Sequence, residues 1–119
     1  MKTFDERRAE MDHGNDSEYL TGWEHLFEEA DRLISALDPE YKIIQIKEKF
    51  GSLRYYFEHS EGCELDKEVS KLLWQQVGDI EDHAGTICER CGDPSERKTR
   101  SHWITTICDG CYEIHIKDK

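Results

Sequence analysis

Cys88, Cys91, Cys108 and Cys111 form two C-x-x-C pairs with sixteen residues between them. That spacing is the signature of a structural zinc site. A C-x-x-C turn brings two sulfurs to one metal, and two such turns supply a closed tetrahedron of thiolates. A metal with four protein ligands has no open position for substrate, so the chemistry implied is stabilisation rather than turnover. One structural Zn2+ on these four residues is the expectation. Two disulfides are the competing use of the same thiols, and they need an oxidising compartment. The opening residues Met1-Lys2-Thr3-Phe4-Asp5-Glu6-Arg7-Arg8 lack the apolar run of an export signal, and no stretch approaches a membrane span. With Cys63 left over as a fifth, odd cysteine, the pattern fits reduced thiols and a cytoplasmic setting.

The neighbours of the cysteines outline the module that would carry them. Gly92 follows the first pair and Gly110 lies inside the second. Asp93-Pro94-Ser95 reads as a turn. Trp103-Ile104-Thr105-Thr106-Ile107 reads as a strand. Residues 112–117 are short enough for a helix or a strand. A helix there makes the module a treble clef, and a strand makes it a zinc ribbon.

The elements before the module show helical and strand patterning. Thr21-Gly22-Trp23-Glu24 has the form of a capping box. Trp23, Leu26, Phe27, Ala30, Leu33, Ile34 and Leu37 then recur at helical spacing, and Asp38-Pro39 ends the run. Ile44 and Ile46, followed by Leu53, Tyr55 and Phe57, alternate on either side of Phe50-Gly51-Ser52 as a β-hairpin. A second helix carries Leu65, Val69, Leu72, Leu73, Gln76, Val77 and Ile80 as its stripe. Trp74 lies beside that stripe, and its exposure would mark a contact surface. The expected fold is therefore α+β: a helix–β-hairpin–helix body followed by a small treble-clef or zinc-ribbon module. The expected divisions are a polar N-terminal segment at 1–16 ending in the turn His13-Gly14-Asn15-Asp16, an acidic body at 17–85, and the four-cysteine module at 86–119.

Three parts of this chain resemble one group of proteins. They are the segment Ile46-Lys47-Glu48-Lys49-Phe50-Gly51-Ser52-Leu53-Arg54-Tyr55-Tyr56, the pair Cys88-Glu89-Arg90-Cys91-Gly92, and Trp103-Ile104-Thr105-Thr106-Ile107-Cys108-Asp109-Gly110-Cys111. The resemblance, over roughly residues 40–111, is to small bacterial and phage-borne proteins that join an IKEKFG-x-LR-aromatic segment to a C-terminal two-CxxC module. It implies a bacterial or phage cytosolic setting and the same zinc ligands. It carries no activity.

Charge narrows the function classes. The 119 residues carry a formal net charge of −11, and residues 1–85 hold all of it, with 21 acidic against 10 basic side chains. An acidic body argues against non-specific phosphate binding and suits a basic protein partner. Glu24, Glu28, Glu29 and Asp31 lie on one helix face as a candidate protein-binding cluster. This makes a protein-interaction module of the inhibitor, immunity or adaptor type the leading expectation. Nucleic-acid binding is the alternative, through Arg97, Lys98, Arg100 and Trp103 in the loop between the zinc pairs. His59-Ser60-Glu61 with a downstream C-x-x-C echoes zinc deaminases, but Ile87 stands where their proline would be and a fourth thiolate would displace the catalytic water. A nuclease would need an open metal site around His102 or His115, and no nuclease motif surrounds them. His83, five residues before Cys88, reads as a helix end complementing the helix dipole rather than as a ligand.

Overall fold

The computed structural model describes residues 2–11, 16–100 and 102–115, in which the chain is mixed α+β with four α-helices and two antiparallel hairpins. The turn expected at His13-Gly14-Asn15 and the tail past His115 lie outside these residues. Among the described residues no helix is long and apolar enough to cross a membrane.

Helix α1 (Phe4–Ala9) starts at a capping box, with Glu6 N–H donating to Thr3 Oγ1 and Thr3 N–H donating to Glu6 Oε1, each at 3.2 Å. The box expected at Thr21 is absent. Residues Thr21–Trp23 form a 3-10 turn there, and α2 (Glu24–Leu37) begins without a side-chain cap. The reason is competition from distant partners. Thr21 Oγ1 donates to the Arg90 carbonyl at 2.6 Å, and Glu24 pairs with Arg8.

Helix α1 is held by a buried side chain. Arg7, only 3% exposed, donates through Nε and Nη2 to the two oxygens of Asp31 at 2.8 and 2.9 Å. Its Nη1 donates to the carbonyls of Lys2 and Pro39, both at 2.9 Å. The Tyr41 hydroxyl also donates to Asp31 and stands 2.7 Å from the Tyr55 hydroxyl. Every nitrogen of the guanidinium thus donates, which is the condition under which a buried charge is tolerated.

Strands β1 (Lys42–Lys49) and β2 (Ser52–Glu58) pair antiparallel around a two-residue turn. Phe50 and Gly51 both have positive φ, 55° and 79°, as a primed hairpin turn requires. The alternation expected on Ile44 and Ile46 is corrected by a register shift between Ile43 and Gln45. The extra residue turns Ile43 and Ile46 into the core and leaves Ile44 half-buried. On β2, Leu53, Tyr55 and Phe57 are buried as expected.

Helix α3 (Lys67–His83) is capped by Asp66, whose side chain accepts from Glu68 N–H. Its Leu73, Val77 and Ile80 close one core with Trp23, Leu26, Phe27 and Ile34 of the α2 region and the hairpin's inner face. Val69 and Leu72, expected in the stripe, are exposed at 38% and 55%. Glu81 of α3 accepts from Tyr55 N–H at 2.8 Å and so satisfies one donor of the sheet edge.

The second hairpin, β3 (Arg97–Arg100) and β4 (Trp103–Thr106), leads into α4 (Asp109–His115). The tail is therefore helical as far as it is described. Thr106 Oγ1 donates to the Gly51 carbonyl at 2.6 Å, which seats the turn of the first hairpin on the second. A Cβ at Gly51 would lie 2.8 Å from the Arg97 side chain, so this approach needs glycine.

Candidate metal centre

The two cysteine pairs reach one point from different elements. Cys88 and Cys91 lie on a loop after the 3-10 turn Ala84–Thr86, and an isolated bridge between Ile87 and Pro94 closes that loop. Gly92, at φ 82°, returns its N–H to the Cys88 carbonyl at 3.0 Å. Cys108 follows β4 and Cys111 sits in the first turn of α4, so the hairpin spans the distance between pairs.

The four sulfurs all lie within 4.8 Å of one another. Cys91 Sγ and Cys108 Sγ stand 3.8 Å apart. Four sulfurs bound at 2.3 Å to one tetrahedral ion stand about 3.8 Å apart, so the donor set fits a single zinc-sized ion. All the cysteines are free thiols. Backbone N–H groups of Arg90, Cys91 and Cys108 point at Cys88 Sγ from 3.3 to 3.5 Å, and that of Cys111 points at Cys108 Sγ at 3.4 Å. Burial pushes the Cys88 thiol up, but these N–H groups outweigh it and hold it down at about 6. Burial and the neighbouring thiols push Cys111 up instead. One sulfur is thus prepared as a thiolate, whereas Cys91 and Cys111, both pushed up, need a cation among them to ionise.

The knuckle is docked onto the body through backbone. Gly22 N–H donates to the Glu89 carbonyl at 2.8 Å, and Trp23 Nε1 donates to the Ile87 carbonyl at 2.8 Å. A Cβ at Gly22 would sit 2.0 Å from the Cys88 carbonyl oxygen, so no other residue fits there.

The other expected site residues scatter. On the acidic helix face, Asp31 is buried by Arg7 and Glu24 is paired with Arg8, which leaves Glu28 and Glu29 exposed. In the basic stretch, Arg97 lies across Gly51 and Gly85. Lys98 and Arg100 both turn toward Asp109, at 3.7 and 2.5 Å. Trp103 is 75% exposed. His83 stays at the end of α3, its Nδ1 3.5 Å from Thr86 Oγ1 and outside the sulfur cluster.

Spacing gave no warning of a second group, Asp38, His59 and Cys63, whose ligand atoms lie within 4.8 Å of one another. The three residues are joined only when the hairpin folds back. Asp38 accepts from His59 Nδ1 at 3.0 Å, from Ser60 N–H at 2.8 Å, from Ser60 Oγ and from Cys63. His59 thus lies with Asp38, outside the thiol cluster that the deaminase pattern would require. Burial pushes the Asp38 carboxyl up, but the Ser60, His59 and Cys63 bonds outweigh it and hold it below the usual aspartate range. A carboxyl depressed in the folded state stabilises above its ordinary value and loses that contribution as pH falls through the folded one. Asp38→Asn is expected to cost about 1–3 kcal/mol at neutral pH. In urea unfolding between pH 7 and 2.5, the wild type should then lose stability more steeply than the variant below pH ~4. Parallel pH profiles would show that Asp38 contributes nothing as a charge.

Comparison of the chain with protein-family models, curated proteins and solved structures gives no match. The functional reading rests on the chain's own geometry.

Proposed function

We propose that this chain is a zinc-clamped protein-interaction module, of the adaptor, inhibitor or immunity type, working in the cytoplasm of a bacterium or for a phage. The ion is zinc because four thiolates in a closed tetrahedron suit it best. The order knuckle, hairpin, then a helix opening with the second ligand pair supports the treble-clef form over the ribbon, whose tail would be a strand. The metal's part is to hold a small, charge-rich chain together.

The observation that carries the reading is the open groove between α2 and α3. Leu26, Leu33 and Ile80 form its floor, Glu29, Asp79 and His83 stand on its rim, and it continues past Arg32, Ala36 and Leu37. Leu37 remains 40% exposed at that end. An apolar floor with an acidic rim suits an amphipathic segment with a basic flank, in the helix-in-groove manner. The acidic balance of the body would steer such a partner toward it.

The test is an affinity capture from nuclease-treated bacterial lysate, comparing wild type with Glu29→Lys/Asp79→Lys. A saturable partner is expected that survives nuclease, weakens at high salt and binds the double variant about tenfold less. A partner that ignores both salt and the charge reversal would remove the groove from the reading. Capture of no saturable partner would remove the reading itself.

A further inference from the structure

The turn of the first hairpin, the second hairpin and α4 enclose another groove, of about 630 Å³. That is within the range of small-ligand sites. Its walls include Phe50, Glu89, Arg100, Trp103 and Tyr112, with Lys49 at the edge. It shares no residue with the α2–α3 groove, and nothing argued for it depends on a protein partner.

Two features of these walls are unexplained by folding. The first is aromatic exposure. Trp103 is 75% and Phe50 is 58% exposed. The hairpin turn accounts for the φ of 55° at Phe50, but not for an aromatic side chain where glycine or asparagine would adopt it more cheaply. The second is unmet hydrogen bonding. Glu89 is 9% exposed, and among the described residues its Oε1 is buried without a partner. Arg100 Nη1 is likewise buried and without a partner, although Nη2 of the same side chain binds Asp109 and the guanidinium lies 4.7 Å from the Tyr112 ring centre. Buried polar atoms are normally satisfied, and leaving one open is costly. The groove therefore offers one buried acceptor, one buried donor, the bare ring of Trp103 and the exposed ring of Phe50, which carries Lys49 Nζ over one face at 5.6 Å.

A flat heterocycle with donors and an acceptor on one edge answers all of these together. A peptide carboxamide would meet the polar atoms and leave the aromatic faces bare. Guanine carries N1–H and N2–H donors beside the O6 acceptor. Adenine has an acceptor at N1, so it offers a carboxylate its amino group alone. We propose that this groove binds a guanine base, with Glu89 accepting from N1–H and N2–H, Arg100 donating to O6, and Trp103 and Phe50 supplying the stacking faces. Phosphate contributes little, because Asp109 already engages Lys98 and Arg100 and because Glu48 and Glu89 offset Lys49 and Arg100 in the groove. A free nucleotide and an unpaired guanine in a strand present the same edge.

The test is an NMR titration of the zinc-loaded full chain with GMP, IMP, AMP and two five-nucleotide RNAs, one holding a single guanine among uridines and one a single adenine. GMP is expected to shift the Trp103 indole and Glu89 amide signals saturably, with Kd below about 1 mM. IMP, lacking the 2-amino donor, and AMP should each bind about tenfold or more weakly. Trp103→Ala, which alters only an exposed side chain, should lose about tenfold. Glu89→Gln, which puts an amide donor beside the acceptor, should lose at least as much with its zinc content and melting temperature unchanged. A guanine RNA more than tenfold tighter than GMP identifies a strand as the source, and equal affinity identifies the free nucleotide. Equal binding of GMP and AMP, indifference to Trp103→Ala, or no saturable shift up to about 5 mM GMP overturns the proposal.

Discussion

Cys108→Ser is expected to take the zinc content well below one per chain and to unfold the second hairpin and α4 at temperatures where the wild type is intact. The sulfur removed stands 3.8 Å from Cys91 Sγ and accepts the Cys111 N–H, so serine loses both a ligand and the bond that orients the last one. The hydrophobic cluster behind the thiols is small, with Cys88, Ile107 and Cys111 buried and Cys108 and Tyr112 beside them. Such a cluster cannot hold four ionisable groups in place without the metal. Zinc-binding energy in small modules is about 10–16 kcal/mol and is largely folding energy, so losing one ligand removes several kcal/mol of stability. Zinc by atomic emission and melting by circular dichroism decide the matter. A variant with full zinc and an unchanged melting temperature would refute the assignment. Acid should act the same way on the wild type, because protons compete with the metal for thiolates.

Arg7→Ala should cost about 3–5 kcal/mol, the loss typical of a buried ion pair broken on one side. Alanine strips the guanidinium from the buried Asp31 carboxylate, leaving it the Tyr41 hydroxyl as a donor, and it frees the Lys2 and Pro39 carbonyls. Removing both charges as Arg7→Met/Asp31→Leu should recover most of the loss, since the penalty lies in the orphaned charge rather than in the missing attraction. Urea unfolding of the two variants measures this. A single-variant loss under about 1 kcal/mol would mean that the pair is solvated in solution.

What the sequence made legible is what spacing encodes locally. Cysteines three apart announce a ligand pair whatever surrounds them, and the periodicity of Trp23 through Ile34 marks a buried helix face without reference to its partner. Contacts that close over distance left no such trace. Arg7 and Asp31 lie 24 residues apart, and a charge near the N-terminus reads as solvated until its acceptor is known. The extra residue at Ile44 cannot be seen in an alternating string, because both registers place isoleucines inward. The true capping box at Thr3 and the false one at Thr21 share the same S/T-x-x-E form, and what separates them is the Arg90 carbonyl, 69 residues on, together with Arg8, which takes Glu24. The guanine groove had a partial signal in Trp103, but Glu89 and Phe50 join it only because Gly51 and Thr106 touch across 55 residues.

The backbone contact between Gly22 and the knuckle sets an order of events in time. The sulfurs close loops of 17 and 20 residues between the pairs, whereas Trp23 reaches the Ile87 carbonyl across 64. Loop-closure entropy makes the longer step about 1 kcal/mol costlier. Contacts of high sequence separation are also the slower ones to form. Metal capture can therefore precede docking, so that a nascent chain carries a finished knuckle before the start of α2 has a surface to rest on. Folding would then show a fast phase that follows zinc concentration and a slower one that does not.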